Sequence, residues 1–212
     1  MASLGVPKGI IYRDADEKRR LESRNGILQI QFVLHQVDNW GPTSRFTTEL
    51  LLELQRLAVN QIYRCAGHFR DGAVTIQGVD HQPPPPEQVP ELVAEMCEYV
   101  NGDSNATPVH LASYVMWRVN WIHPFFGGNG RTARAASYLV LCTKLGFIVP
   151  GTPAMPELIV ANRDPYYEAL RAADTAWKKG RLDLTAMEKL LSGLLATQLV
   201  AIHKKATGQA PI

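Results

Sequence analysis

The sequence predicts an all-α fold, a helical bundle with a small β-hairpin flap. Two long segments, residues 109–121 and 132–145, are apolar on nearly every side, which is typical of helices in the interior of a domain. Segments with apolar residues at helical spacing lie before and after them. Only residues 74–76, between Gly72 and Gly78, are β-prone, so strand structure is expected there alone.

The composition fits one folded domain, with or without a small extension. The chain has 212 residues, of which 46% are hydrophobic and 20% charged. Its formal net charge of +2 is too small for a nucleic-acid-binding surface, so no nucleic-acid partner is expected. The three cysteines lack the spacing of a zinc site or a disulfide framework, which favours a reducing compartment.

No targeting or membrane segment is readable in the sequence. Neither a secretory leader nor an apolar stretch long enough to span a bilayer is visible, so we expect no membrane association. The expected location is the cytoplasm, or that of an effector injected by a specialised secretion system whose signal these criteria do not detect.

In the N-terminal half, residues 14–40 predict a helix with a charged first part, and Asn25 and Gly26 are a candidate interruption. Residues 47–65 predict a second helix with one apolar stripe. Residues 67–82, called the flap below, predict a hairpin or extended segment. The four prolines at 83–86 predict a stiff spacer or, alternatively, a ligand for another protein.

In the C-terminal half, a helix over residues 87–100 and a polar loop precede Thr107 and Pro108, which predict a capped helix start. The two apolar helices then flank a loop at residues 123–130. After Gly146 we expect a loop, a helix over residues 164–177 capped at Asp164, and a last helix over residues 184–202.

The loop between the two apolar helices, residues 123–130, is the candidate site and is called the motif loop below. Residues 121–134 read Trp-Ile-His-Pro-Phe-Phe-Gly-Gly-Asn-Gly-Arg-Thr-Ala-Arg. The glycines let a ligand approach the backbone, and the N–H groups of the following helix favour an anion. Arg131 and Arg134 share one helix surface, which indicates a di- or triphosphate ligand. His123 is the candidate general base.

A structural interpretation competes with this one. A Gly-Gly-Asn-Gly stretch alone is usually a flexible turn, and an isolated histidine is more often structural than catalytic. However, two arginines in a first helical turn oppose the helix dipole, which a bound anion would explain.

These residues resemble the Fic/Doc family, whose motif is His-x-Phe-x-Asp/Glu-Gly-Asn-Gly-Arg-x-x-Arg. The flap resembles the family's substrate-binding flap, and residues 163–170 resemble its Arg-x-x-Tyr-Tyr-x-x-Leu segment. The resemblance divides the chain into an N-terminal helical extension at 1–44, a Fic domain at 45–203 and a C-terminal tail at 204–212. The motif is matched by His123, Phe125, Gly128, Asn129, Gly130, Arg131 and Arg134.

The resemblance implies an enzyme that moves AMP, or another nucleotide moiety, from a nucleoside triphosphate to a hydroxyl side chain of a target protein. ATP is the implied donor, and His123 takes the hydroxyl proton. The flap pairs with the target near Val74 and Gln77, while Tyr167 and Asp174 line the base pocket. The implied donor-binding residues are Phe125, Gly127, Gly128, Asn129, Gly130, Arg131, Arg134 and Tyr167.

The sequence departs from the family at Gly127, where the motif has its metal-binding acid. Binding of Mg²⁺ is therefore in doubt. The ion would be held by phosphates and water alone, by another acidic residue, or not at all, and we assign no metal-binding residue. Two alternatives stay open, a non-catalytic nucleotide- or phosphate-binding module and an enzyme with another phosphate-containing donor. Members that phosphorylate with an inverted nucleotide carry Lys at the position of Gly130, which disfavours that subclass.

The sequence leaves the mode of inhibition and the oligomeric state open. Many members block their site with a helical glutamate that pairs with the motif's second arginine, here Arg134. Glu22 followed by Ser23 is a weak match to that helix, since Lys18 stands where Ser or Thr is usual, and an exposed helical glutamate is the alternative. A homo-oligomer is compatible with the sequence.

Overall fold

The computed structural model describes residues 9–102 and 105–207, with side chains described as far as residue 202. In these residues it contains eight α-helices, one 3-10 helix at Pro86–Gln88 and no β-strand, so the predicted all-α class is confirmed. The helices are α1 Ala15–Asp38, α2 Thr48–Val59, α3 Val89–Gly102, α4 Pro108–Ile122, α5 Asn129–Leu145, α6 Met155–Ala161, α7 Arg163–Trp177 and α8 Thr185–Thr207.

The two apolar helices, α4 and α5, pack against each other in the centre of the fold. Helices α1 and α2 cover α5, while α3 and α8 cover α4. Ser137 donates a hydrogen bond of 2.8 Å to the carbonyl of Ala112, which satisfies a buried hydroxyl at the α4–α5 contact. The motif loop joins the C-terminal end of α4 to the N-terminal end of α5, and its position is therefore fixed by the core.

Helix α1 runs through Asn25 and Gly26 without the predicted interruption. Asp14 caps it by accepting a hydrogen bond of 2.7 Å from the backbone N–H of Glu17. Asn25 is buried and donates to the carbonyl of Asn60 at 2.7 Å, beyond the end of α2. Because its side chain bonds to another element, it does not compete with the hydrogen bonds of its own helix.

The flap contains no paired strands, so the predicted hairpin is not found. Its backbone is extended or turned, and the isolated β-bridge in the described residues joins Ile10 and Tyr63 instead. The flap is attached to the domain at Arg70, whose backbone N–H donates to the carbonyl of Pro124 at 2.9 Å. Helix α2 ends at Val59 rather than at residue 65, and the backbone turns at Gln61, which has a positive φ of 59°.

The C-terminal third differs from prediction in three places. Helix α6 was expected to be loop because of its prolines, but Pro156 lies in its first turn, where a missing N–H costs little. Helix α7 begins at Arg163, so Asp164 lies inside its first turn instead of capping it. Helix α8 continues to Thr207, five residues further than expected, and residues 208–212 of the predicted tail lie outside the described part.

None of the helices in the described part of the chain is long and apolar enough to span a bilayer.

Candidate active site

The backbone of His123 is held at the end of α4. His123 caps this helix in the left-handed conformation, with φ 50° and ψ 58°, and its N–H donates to the carbonyl of Val119 at 3.0 Å. Its own carbonyl accepts a hydrogen bond of 2.8 Å from Nε of Arg70. A non-glycine residue with positive φ persists only where its surroundings hold it, and such positions concentrate at functional sites.

The imidazole of His123 is kept neutral by its surroundings. Its Nδ1 atom is buried and has no hydrogen-bond partner in the described residues. The nearby backbone carbonyl of Asn120 raises the pKa of His123, but by less than burial lowers it. Burial lowers the pKa of His123 to about 4, and the charges of Arg70 and His81 add to the lowering. At neutral pH this side chain is therefore able to accept a proton.

Asn129 closes the motif loop. Its Nδ2 donates to the carbonyl of Phe125 at 2.7 Å, and its Oδ1 accepts from the Phe125 N–H at 3.0 Å. Phe125 is buried and stacks on Phe69 of the flap with ring centroids 5.8 Å apart. Both polar ends of the Asn129 side chain are thus bonded inside the loop, and its backbone N–H belongs to the first turn of α5, where N–H groups have no partner within the helix.

The glycines of the loop are packed tightly against α2 and the residues that follow it. A Cβ on Gly128, which has φ 81°, would lie 2.5 Å from Cγ1 of Val59, and one on Gly127 would lie 2.5 Å from the ring of Tyr63. The buried Gln55 donates from Nε2 to the Gly127 carbonyl at 3.1 Å. A side chain fits at neither glycine without displacing its neighbour.

The two motif arginines have different surroundings. Arg131 donates from Nη1 to the carbonyl of Ala58 at 2.8 Å, and its Nη2 lies 3.4 Å from Oε1 of Glu22. Arg134 has no hydrogen bond or ion pair with any described residue. Burial lowers its pKa, and Arg131 and Arg163 repel its charge. An unpaired, partly buried cation with cationic neighbours is suited to bind an anion.

Two cavities lie near these groups. One of about 230 Å³ is lined by Arg134 and Arg163 and by the tyrosines of α7, Tyr166 and Tyr167. A second cavity, of about 290 Å³, lies between flap residues 76–79 and α7. Its other lining residues are His81, Asn120, Trp121, His123, Tyr167, Leu170, Arg171 and Asp174. Tyr167 lines both cavities.

Several residues of the site were not predicted from the sequence. The buried Arg70 donates to the carbonyls of His123, Gly72 and Pro84, and so connects the flap to the motif loop. Gln55 accepts from the Gly67 N–H at 2.6 Å and links the start of the flap to the loop. For Gln55 one signal was available in the sequence, a polar residue on the apolar face of α2. Arg70 gives no such signal, because a buried arginine that bonds only to carbonyls leaves no local pattern.

The side chains around the motif loop do not form a metal site. No group of three or more His, Cys, Asp or Glu residues able to hold a metal ion occurs in the described residues. Position 127 has no side chain, and the ring of Tyr63 occupies the space beside it. The residues present do not fit a metal ion held by the protein at this loop.

A family model described as Fic/DOC family matches residues 45–141, which include the whole motif loop. Over these residues the chain is similar to the Fic/DOC family. Relatives named "Protein adenylyltransferase Fic" occur in Drosophila persimilis and Drosophila yakuba. Each is 26% identical over 168 residues, which cover 76% of this chain and 31% or 32% of the relative. The chain thus spans about a third of the length of the curated relatives it matches.

Solved structures of Fic proteins share the fold. Fic-1 from C. elegans (residues 134–508) superposes with a TM-score of 0.70 at 22% identity, covering 97% of this chain and 56% of that one. A Fic domain containing signaling protein from Bacteroides thetaiotaomicron superposes with a TM-score of 0.73, also at 22% identity, covering 95% and 78%. The Fic/DOC match ends within α5, so Glu22 of α1 and Tyr167 of α7 lie outside it.

Proposed function

We propose that this protein is a nucleotidyltransferase that moves AMP, or another nucleotide moiety, from a nucleoside triphosphate to a hydroxyl side chain of a target protein. ATP is the expected donor, as the name of the adenylyltransferase relatives suggests. The observation that carries the proposal is the neutral, half-buried imidazole of His123 on a cavity that shares Tyr167 with the cavity lined by Arg134.

In this proposal the donor would lie along the two cavities that share Tyr167. The base and ribose would lie between the flap and α7, near Tyr167 and Asp174, whose carboxylate is oriented by a 2.8 Å hydrogen bond from Nε1 of Trp117. The phosphates would lie towards Arg134 and Arg163. No side chain caps α5, so the N–H groups at its start are available to phosphate oxygens.

The reaction follows from these positions. The target hydroxyl attacks the α-phosphorus, the bond to the β-phosphate oxygen breaks, and pyrophosphate leaves with that electron pair. His123 takes the hydroxyl proton, and the guanidinium groups stabilise the charge that develops on the phosphates. A pKa of about 4 in the free protein would rise when the negatively charged donor binds nearby, which makes the imidazole a stronger base.

The flap offers the target a free backbone edge. Burial alternates along residues 72–77, with Val74 and Ile76 half-buried and Thr75 and Gln77 exposed, as in a strand without a partner. We infer that a target peptide pairs with residues 74–77 and so places its hydroxyl near His123.

The alternative is a non-catalytic nucleotide-binding module. It is favoured by one observation, the lack of an acidic side chain at Gly127 or in any described cluster beside the loop. Such a module would bind nucleoside triphosphates with Arg134 but would transfer nothing.

Intact-mass spectrometry tests the proposal and its alternative. The protein, alone and with lysate proteins, is incubated with each nucleoside triphosphate, and a His123→Asn variant, which we expect to be inactive, serves as control. We expect a mass increase of one AMP on a protein in the ATP sample and none with the variant. Another mass increase indicates a different donor, whereas bound nucleotide without any increase supports the non-catalytic module.

A further inference from the structure

The aromatic ring of Tyr63 takes the space of a side chain at position 127. A Cβ on Gly127 would lie 2.5 Å from Cε2 and 2.9 Å from Cζ of Tyr63, distances that carbon atoms essentially never show in proteins. The backbone of Gly127 is not left-handed, since it is absent from the glycines with positive φ. The ring, and not the backbone torsion, therefore excludes a side chain here.

The ring is held in place from two sides. The backbone of Tyr63 forms the bridge with Ile10, and its N–H donates to the carbonyl of Val59 at 3.2 Å. Its side chain packs on a small apolar cluster formed by Ala58, Val59 and Ile62. Swinging the ring away from the loop would expose this cluster, so a side chain at position 127 is costly.

The groups that remain beside the loop are cations and backbone donors. Arg134 has no partner in the described residues, Arg163 lines the same cavity, and α5 begins without a side-chain cap. The carboxylate that reaches the motif arginines is that of Glu22, and it is ion-paired with Arg131. These groups bind an anion directly and provide no oxygen ligand for a cation.

We propose that Tyr63 replaces the acidic side chain at position 127, so that this protein binds the donor's phosphates through guanidinium and backbone N–H groups with no metal held by the loop. The inference rests on the proposed function only for the identity of the anion. It assigns Tyr63 as a positioning residue, which fixes the loop by packing over Gly127.

Unfolding experiments test the packing without any nucleotide. Gly127→Ala should lower the melting temperature by about 3–8 °C in the wild-type background and by less than about 2 °C in a Tyr63→Ala background. Gly26→Ala is the control, since nothing lies within 4 Å of its added Cβ, and it should not lower the melting temperature. An equal loss from Gly127→Ala in both backgrounds would overturn the inference.

Calorimetric titration with ATP tests the consequence for binding. Replacing Mg²⁺ by EDTA should change the Kd of the wild type by less than about threefold, and that of Tyr63→Phe equally little because the ring remains. The double variant Tyr63→Ala/Gly127→Asp should become about tenfold or more dependent on Mg²⁺, since it has space and a hard oxygen ligand. Its binding of Mn²⁺, followed by electron paramagnetic resonance, is a second readout.

The outcomes separate the inference from the proposed function. Wild type that binds ATP only with Mg²⁺ overturns the role of Tyr63 and leaves the nucleotidyltransferase proposal standing. Wild type that binds no nucleoside triphosphate with or without Mg²⁺ contradicts the proposed function, and the unfolding experiments then decide the role of Tyr63.

Discussion

The carboxylate of Glu22 in α1 lies 3.4 Å from the guanidinium of Arg131 in α5. Helix α1 thus reaches the start of the helix that follows the motif loop. Glu22 is only a weak match to the inhibitory glutamate of the family, which pairs with the second motif arginine; in this structure it pairs with the first, Arg131, and not with Arg134. This ion pair is partly exposed, so its effect on binding should be modest.

Glu22→Gln should tighten the binding of nucleoside triphosphates by about two- to fivefold. The substitution removes a negative charge that competes with the phosphates for Arg131, and a partly exposed ion pair contributes roughly 0.2–1 kcal/mol. Calorimetric titration with ATP measures the change. Asp16→Asn, which removes an exposed carboxylate paired with Arg19 on the same helix, is the control and should leave the affinity unchanged. Weaker binding by Glu22→Gln would show that Glu22 supports the site.

Arg134→Ala should weaken triphosphate binding more than Arg131→Ala does. Arg134 has no hydrogen bond or ion pair with a described residue to lose, so the lost phosphate contact of about 1.5–3 kcal/mol appears as a 10- to 150-fold rise in Kd with little change in stability. Arg131→Ala also removes the hydrogen bond to Ala58 and should lower the free energy of unfolding by about 1 kcal/mol. Calorimetry and urea unfolding separate the two effects, with the exposed Arg45→Ala as control. Equal affinities for Arg134→Ala and wild type would contradict the anion site.

His123→Ala should lower the transfer rate by about 10²- to 10⁴-fold while the affinity for the donor changes less than about twofold. The imidazole is proposed to act on the acceptor hydroxyl and not on the triphosphate. His123→Asn is the better matched variant, because asparagine tolerates the left-handed backbone of this position. Single-turnover transfer and calorimetry are the measurements. Transfer at the wild-type rate by either variant would make His123 a structural residue.

The low pKa of His123 should make the protein less stable in mild acid. Burial holds the pKa at about 4 in the folded state, below the usual value of 6.5, so the unfolded state binds more protons between these values. Above pH 6.5 the imidazole is neutral in both the folded and the unfolded state, so it does not destabilise the fold. As the pH drops from 6.5 towards 4, the free energy of unfolding falls by up to about 3 kcal/mol. Urea unfolding of wild type and His123→Asn at pH 7 and pH 4.5 isolates the effect. A pH dependence that is the same in both proteins would assign it to other groups.

The features that were predicted correctly depend on residues near each other in sequence. Thr107 caps α4 by accepting from the His110 N–H at 3.1 Å, and Gly146 ends α5 with φ 81°. The motif from His123 to Arg134 is likewise one run of twelve residues, and the roles assigned to its side chains stay predictions. Arg70, Gln55 and Tyr63 act on the loop from more than fifty residues away, so no local pattern could reveal them. The predicted hairpin is not found in the flap for a related reason, because β-propensity indicates an extended segment but does not supply its partner strand.

Arg70 is the clearest of these distant residues. It is 2% exposed, and its guanidinium donates to the His123 carbonyl at 2.8 Å, to the Gly72 carbonyl at 3.1 Å and to the Pro84 carbonyl. One side chain therefore fixes the backbone of the proposed base relative to the flap and to the proline segment that follows it. Lysine has one nitrogen in place of three and cannot make these bonds together.

Arg70→Lys should lower kcat by about 10- to 100-fold and leave the Kd of the donor within about threefold, because Arg70 contacts the protein and not the nucleotide. Misplacing the base by a fraction of an ångström to one ångström is enough for such a loss. The melting temperature should also fall by several degrees as buried carbonyls lose their donor. Kinetics at a temperature well below melting separate misplacement from unfolding. If kcat of the folded variant equals that of the wild type, or if only the donor affinity falls, Arg70 does not position His123 and serves the fold alone.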